Sequence, residues 1–161
     1  MAMLAMRRIL FICTGNIYRS RFAEALFNHH AGRAGLEWEA SSRGLQIDLA
    51  SGILAPQTRD ALLERGISLH HTARESTALE ESDLTGAALV VALNREEHQP
   101  MMKQCFPRWA DRVDYWDIRD VEFESPKRAL PRIEGHVFRL VEILTEGHAL
   151  IGPGATTSTE F

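Results

Sequence analysis

Arg8-Ile9-Leu10-Phe11-Ile12-Cys13-Thr14-Gly15-Asn16-Ile17-Tyr18-Arg19-Ser20 is the stretch from which the rest of the chain can be read. Its apolar run is what a strand buried on both faces looks like. That strand delivers a cysteine into a short loop containing Gly15-Asn16. An arginine follows, then a serine able to open a helix. Cys-x5-Arg alone is a weak signal in an arginine-rich chain. The whole order of strand, cysteine, Gly-Asn loop, arginine, serine and amphipathic helix describes an anion cradle.

In such a cradle, successive backbone N–H groups of a loop ending at a helix N-terminus converge on one dianion. Gly15 is expected to allow curvature that a side chain would block. Arg19 closes the cup with a planar fork matching two phosphate oxygens. The same positive field favours a thiolate at Cys13. Read this way, Thr14, Gly15, Asn16, Ile17, Tyr18, Arg19 and Ser20 bind phosphate above a nucleophilic Cys13.

Cys13 to Ser20 resembles the signature loop of the low-molecular-weight protein tyrosine phosphatases, Cys-x-Gly-Asn-x-Cys-Arg-Ser-Pro. The likeness continues in the order of later elements, from about Arg8 to Gly147. Tyr18 stands where that family usually has a second cysteine, and Arg21 where it has proline. The resemblance implies a phosphomonoester hydrolase working through a phosphocysteine, with Cys13 and Arg19 catalytic and no cofactor or metal. It also implies a general acid from an Asp-Pro pair in a late loop. The match puts Asp120-Val121 at that pair, with Asp117 as the other candidate in the same loop. Phe123 or Tyr18 is available as an aromatic platform, whereas Glu122 and Glu124 would disfavour acidic phosphopeptides.

Working outward, Ser20 to about Ala34 has apolar residues at helical spacing, at Ala23, Leu26, Phe27, Ala31 and Ala34, and Gly32 and Gly35 end it. His29 and His30 lie in its last turn without ligand spacing. Trp38–Ser42 reads as an edge strand, 43–55 as loop, and Pro56 to Gly66 as a helix with its start and stop residues. A loop with His70 and His71 and a short helix over 80–84 follow. Ala87–Leu93 is seven apolar residues and a second central strand. Arg95–Cys105 is a helix with Cys105 as a packing residue, and Val113–Trp116 is an edge strand. A last helix starts near Pro131 and buries Ile133, Val137, Leu140, Val141 and Leu144.

Alternating strands and helices imply an α/β fold with right-handed crossovers. Two fully apolar strands, first and third in sequence, belong at the centre. The expected fold is a four-stranded parallel sheet in the order 2-1-3-4, a flavodoxin-like three-layer sandwich with helices on both faces. Ligands bind such sheets at the carboxyl ends of the strands, where Cys13 and the loop after Trp116 both emerge. All 161 residues are read as a single domain with a core over about 7–148 and flexible ends at 1–6 and 152–161.

Composition bounds the partners. With 45% hydrophobic and 25% charged residues the chain is an ordinary globular protein, and a net charge of −4 without a basic stripe argues against nucleic acid. Met1 to Met6 is too short for a membrane span, and its charges follow rather than precede it, unlike a signal peptide. Two cysteines make no disulfide framework and suit a reducing cytoplasm. The expected partner is a phosphorylated substrate, either a phosphoprotein or a small phosphomonoester. Two alternatives stay open: a non-catalytic phosphate-binding module on the same fold, and an arsenate reductase-like oxidoreductase. The second needs further cysteines for a disulfide cascade, and only Cys105 is available.

Overall fold

The computed structural model of the protein describes residues 6–72 and 75–150, with side chains to residue 147. Strands β1 (Arg7–Cys13), β2 (Trp38–Gly44), β3 (Leu89–Ala92) and β4 (Asp114–Tyr115) form one sheet in the order β2-β1-β3-β4. All three pairings are parallel, Ile9 facing Ala40 on one side and Leu89 on the other. The expected strand order therefore holds. The flexible ends expected at 1–6 and 152–161 lie outside the described residues, apart from Met6.

The apolar run of β1 feeds two cores, because successive side chains of a strand point to opposite faces. Ile9 and Phe11 join α1 (Arg19–Arg33), α2 (Pro56–Glu64) and α5 (Pro126–Leu150) through Phe22, Leu26, Phe27, Leu62, Ile133 and Val137. Leu10 and Ile12 pack on the other face against Leu84 of α3 (Glu81–Gly86) and Met102 of α4 (Arg95–Cys105). This is a three-layer sandwich whose central strand is closed on both sides, so the end of β1 is rigidly placed.

Several local readings are corrected. The final helix begins at Pro126, not near Pro131; Ser125 O accepts the first amides, from Arg128 and Ala129. Pro126 fits the first turn, where its missing N–H costs nothing, while Pro131 is carried on an exposed face inside the helix. Cys105 is exposed rather than packed, since α4 buries only His98 and Met102. The 43–55 segment is not all loop: β2 runs to Gly44 and a 3-10 turn spans Ile47–Leu49. Ser20 does not cap α1; Tyr18 is the N-cap, without a side-chain bond.

Candidate active site

Cys13 is the last residue of β1, nearly buried, at the floor of a cavity of about 740 Å³. Its sulfur lies 2.8 Å from Ser20 Oγ and accepts the Asn16 N–H at 3.3 Å. Asn16 is the one non-glycine among the described residues with positive φ, at 55°. Asparagine tolerates this left-handed conformation better than most residues. The turn that aims an amide at the sulfur is thus made at Asn16, not at Gly15. Gly15 is needed for another reason: a Cβ there would sit 2.9 Å from Ala50 Cβ.

The Asn16 conformation is held from three directions. Its side-chain amide donates to Ser20 Oγ at 2.9 Å and to Ser42 Oγ at 3.0 Å, and its side-chain oxygen accepts from Thr77 N at 3.0 Å. Backbone bonds from Leu45 N to Cys13 O, Gln46 N to Thr14 O and Ala55 N to Ile17 O tie the loop to the chain after β2. Gly44 permits this approach, since a Cβ there would stand 2.8 Å from Thr14 O.

Arg19 starts α1 with its side chain almost wholly buried. Nη1 donates to Glu97 Oε1 at 3.0 Å and to Ile118 O at 2.9 Å, and Nη2 donates to Glu97 Oε2 at 2.7 Å. Three of five guanidinium donors are therefore engaged. The two left without a hydrogen-bond partner among the described residues, Nε–H and one hydrogen on Nη2, share an edge that can meet two phosphate oxygens. Burial alone would raise the Glu97 carboxyl. The hydrogen bonds from His98 and Arg19 outweigh it and hold Glu97 well below the ordinary carboxylate range. His98 accepts the Asn94 N–H on Nδ1 at 3.0 Å, which leaves its proton on Nε2, 3.0 Å from Glu97 Oε2. Thr14 Oγ1 also donates to Glu97. Glu97 and His98 were not anticipated from the sequence, and Asn94, capping α4 by accepting from Glu97 N, is the local signal that orients them.

The two candidate acids are separated by the structure. Asp120 borders the Cys13 cavity, with Oδ2 3.7 Å from Arg19 Nη2. Asp117 lies in a second depression, paired with Arg132 at 2.8 Å and 3.8 Å from His136. Phe123 is 70% exposed and faces that second depression, so it is no platform at the Cys13 cavity. Tyr18 does border the Cys13 cavity, but as a core residue only 6% exposed. Burial, chiefly, pushes its phenol up to about 12, and its hydroxyl has no hydrogen-bond partner. The mouth is instead lined by Leu49, Ile53, Leu54, Val121 and Glu122. Among the described residues no group of His, Cys, Asp and Glu is placed to hold a metal ion. None of the described helices is long and apolar enough to cross a membrane.

A cysteine whose sulfur accepts a loop amide, faced by a preset guanidinium at the carboxyl edge of a parallel sheet, defines a phosphate-handling active site of the cysteine phosphatase kind. Residues 8–131 match the family Low molecular weight phosphotyrosine protein phosphatase, and the chain belongs to it. It is a cysteine-dependent phosphatase. A protein-arginine-phosphatase of Bacillus subtilis is 38% identical over 105 residues, covering 65% of this chain and 67% of that protein. A low-molecular-weight protein tyrosine phosphatase from T. tengcongensis superposes with a TM-score of 0.69 at 28% identity, over 88% of this chain and 99% of that one. A YwlE arginine phosphatase superposes with the same TM-score at 29% identity, over 88% and 95%; in that structure the active-site cysteine is replaced by a phosphorylated serine.

Proposed function

We propose that the protein hydrolyses phosphomonoesters in two steps through a phosphocysteine at Cys13. The thiolate attacks phosphorus, the S–P bond forms and the P–O ester bond breaks. Asp120, protonated, gives its proton to the leaving oxygen. Water then attacks phosphorus, its proton passes to the Asp120 carboxylate, the S–P bond breaks and inorganic phosphate leaves. The free edge of Arg19 and the loop amides from Thr14 to Ser20 hold the equatorial oxygens throughout. Ser20, 2.8 Å from the sulfur, stabilises it both as nucleophile and as leaving group. The observation that carries the reading is the convergence of Cys13, Arg19 and Asp120 on one cavity. The phosphorylated serine of the YwlE relative supports a covalent route.

The mouth favours an aryl phosphate. Leu49 and Ile53, 76% and 72% exposed, together with Val121, offer an apolar collar to a ring such as that of phosphotyrosine. The arginine-phosphatase relatives support a second reading, for which Glu122 at the rim would face a substrate guanidinium. Side-by-side hydrolysis of phosphotyrosine and phosphoarginine peptides decides between them, and faster turnover of the tyrosine peptide is expected. Loss of all hydrolysis, including that of para-nitrophenyl phosphate, would contradict the phosphatase reading. Because the nucleophile must be a free thiol, a reducing compartment such as the cytoplasm suits it.

The acid assignment has its own test. Asp120→Asn should slow phenyl phosphate about 100-fold and para-nitrophenyl phosphate far less, since a good leaving group needs little protonation. Asp117→Asn should show no such dependence. The opposite pattern would transfer the acid role to Asp117.

Oxidation gives a further expectation. Peroxide converts a reactive thiolate to sulfenic acid, which a neighbouring thiol can rescue as a disulfide. The phenol of Tyr18 cannot do this. Cys105 lies eight residues beyond Glu97 on α4, about 12 Å further along the helix. Inactivation by peroxide should be blocked by inorganic phosphate and poorly reversed by dithiothreitol after long exposure. Tyr18→Cys should restore recovery. A Cys13–Cys105 disulfide in the oxidised wild type, found by peptide mass spectrometry, would contradict this.

A further inference from the structure

Arg21 stands where the family pattern has proline, and it puts a second buried guanidinium beneath the phosphate loop. Its residue is 3% exposed. Nε donates to Thr72 Oγ1 at 2.6 Å, Nη2 to Thr72 O at 2.5 Å and Nη1 to Asn16 O at 3.3 Å. Thr72 Oγ1 in turn donates to Glu24 Oε1 at 2.6 Å, and Ser42 Oγ donates to the same oxygen at 2.9 Å. Asn16 Nδ2 donates to Ser42 Oγ at 3.0 Å. Asn16, Ser42, Glu24, Thr72 and Arg21 therefore close a ring of hydrogen bonds around the residue whose amide meets Cys13 Sγ. Proline could make none of the Arg21 bonds.

Two consequences follow for the thiol. The ring grips Asn16 by its side chain and, together with Ser76 Oγ donating at 2.9 Å, by its carbonyl, which holds its positive φ and keeps its N–H on the sulfur. The guanidinium also brings a buried positive charge to the carbonyl of the residue whose amide meets Cys13, a charge it shares with the Glu24 carboxylate, whose Oε1 lies 3.9 Å from Nε. Burial pulls the Arg21 guanidinium below its ordinary range, and the charges of Glu24 and Cys13 work against that pull.

We propose that Arg21 is a positioning residue for Cys13, holding the Asn16 amide on the sulfur and adding a second positive charge that favours the thiolate. This rests on the reading of Cys13 as the nucleophile. The test is the pH profile of Cys13 alkylation by iodoacetamide, read by peptide mass spectrometry with exposed Cys105 as internal reference. In Arg21→Met and Arg21→Pro the Cys13 profile should move about one pH unit upward, with alkylation about tenfold slower on the rising limb. Cys105 should not change. Arg21→Lys, which keeps the charge without the fork, should fall between wild type and Arg21→Met.

Arg21 is the third residue of α1, where a backbone N–H has no helical partner, so the proline variant gives up no helix bond. If Arg21→Met fails to fold, Arg21→Pro decides. A folded Arg21→Pro protein with the wild-type Cys13 profile would overturn the proposal. Alkylation reads the thiol and not turnover, so a wild-type protein that hydrolysed no phosphoester would count against the phosphatase reading alone, and the profile would still decide Arg21.

Discussion

Cys13→Ser is expected to lower turnover of para-nitrophenyl phosphate by at least about 10⁴-fold, because a serine hydroxyl beside Ser20 and Asn16 has no base to ionise it. Little else should change. The hydroxyl is close in shape to the thiol, and the proposed phosphate cradle is made of backbone amides and Arg19. Phosphate or vanadate should still bind the variant, measurable by calorimetry or by protection against thermal unfolding. Loss of turnover with binding retained separates the nucleophile from the binding site. Activity near wild type would rule out covalent catalysis at Cys13.

Arg19→Ala should fail in both respects. It removes the guanidinium edge at the cavity proposed to meet phosphate, and takes from Glu97 one of the two partners, His98 and Arg19, that hold its carboxylate ionised. A loss of about 10³-fold or more in kcat/KM is expected, together with much weaker vanadate binding. Arg19→Lys should rescue little, since an ammonium cannot span both Glu97 oxygens while presenting a second edge. Glu97→Gln offers a check on this geometry: it keeps the shape of the pair but loses its charge, so it should lower kcat/KM less than Arg19→Ala. An Arg19→Ala protein that binds vanadate as tightly as wild type would contradict the assigned role.

The sheet was legible because β1 and β3 are central and read as unbroken apolar runs, Ile9–Ile12 and Ala87–Leu93, of which Ile9–Ile12 and Val90–Leu93 are buried. The loop from Cys13 to Ser20 was legible because its members are consecutive. What supports that loop was not. Ser42, Glu97, Thr72 and Thr77 come from four separate segments, and each is an ordinary polar residue until the fold brings it to Asn16, Arg19 or Arg21. In the sequence Glu97 is one of two adjacent glutamates at the start of a helix; only its contact with Arg19 distinguishes it from Glu96. Arg21 appeared as a lost proline, and its bonds to Thr72 give the substitution a physical role.

Two misplacements have simple causes. Cys105 was read as a packing residue because nothing around it in the sequence suggested an activated thiol. By helical spacing position 105 shares the face of His98 and Met102, but it is the last residue of α4 and stands exposed there. The platform was sought at Phe123 because it is aromatic and follows Asp120, whereas the backbone bonds from Phe123 N and Glu124 N to Asp120 O turn that residue toward the second depression. The true collar, Leu49 to Leu54, was hidden in a segment without periodicity. Its signal was the presence of Ile47, Leu49, Ile53 and Leu54 in a stretch that no helix or strand pattern explains.

The most direct test of the central claim is to catch the phosphoryl group on the enzyme. Wild-type and Asp120→Asn proteins would be mixed with para-nitrophenyl phosphate, quenched on the millisecond scale, digested and mapped by mass spectrometry. A phosphoryl group on the peptide containing Cys13, appearing with the burst of nitrophenol and decaying as substrate is exhausted, is the result the mechanism requires. Turnover with that peptide unmodified throughout, or with the phosphoryl group on any other residue, would contradict it.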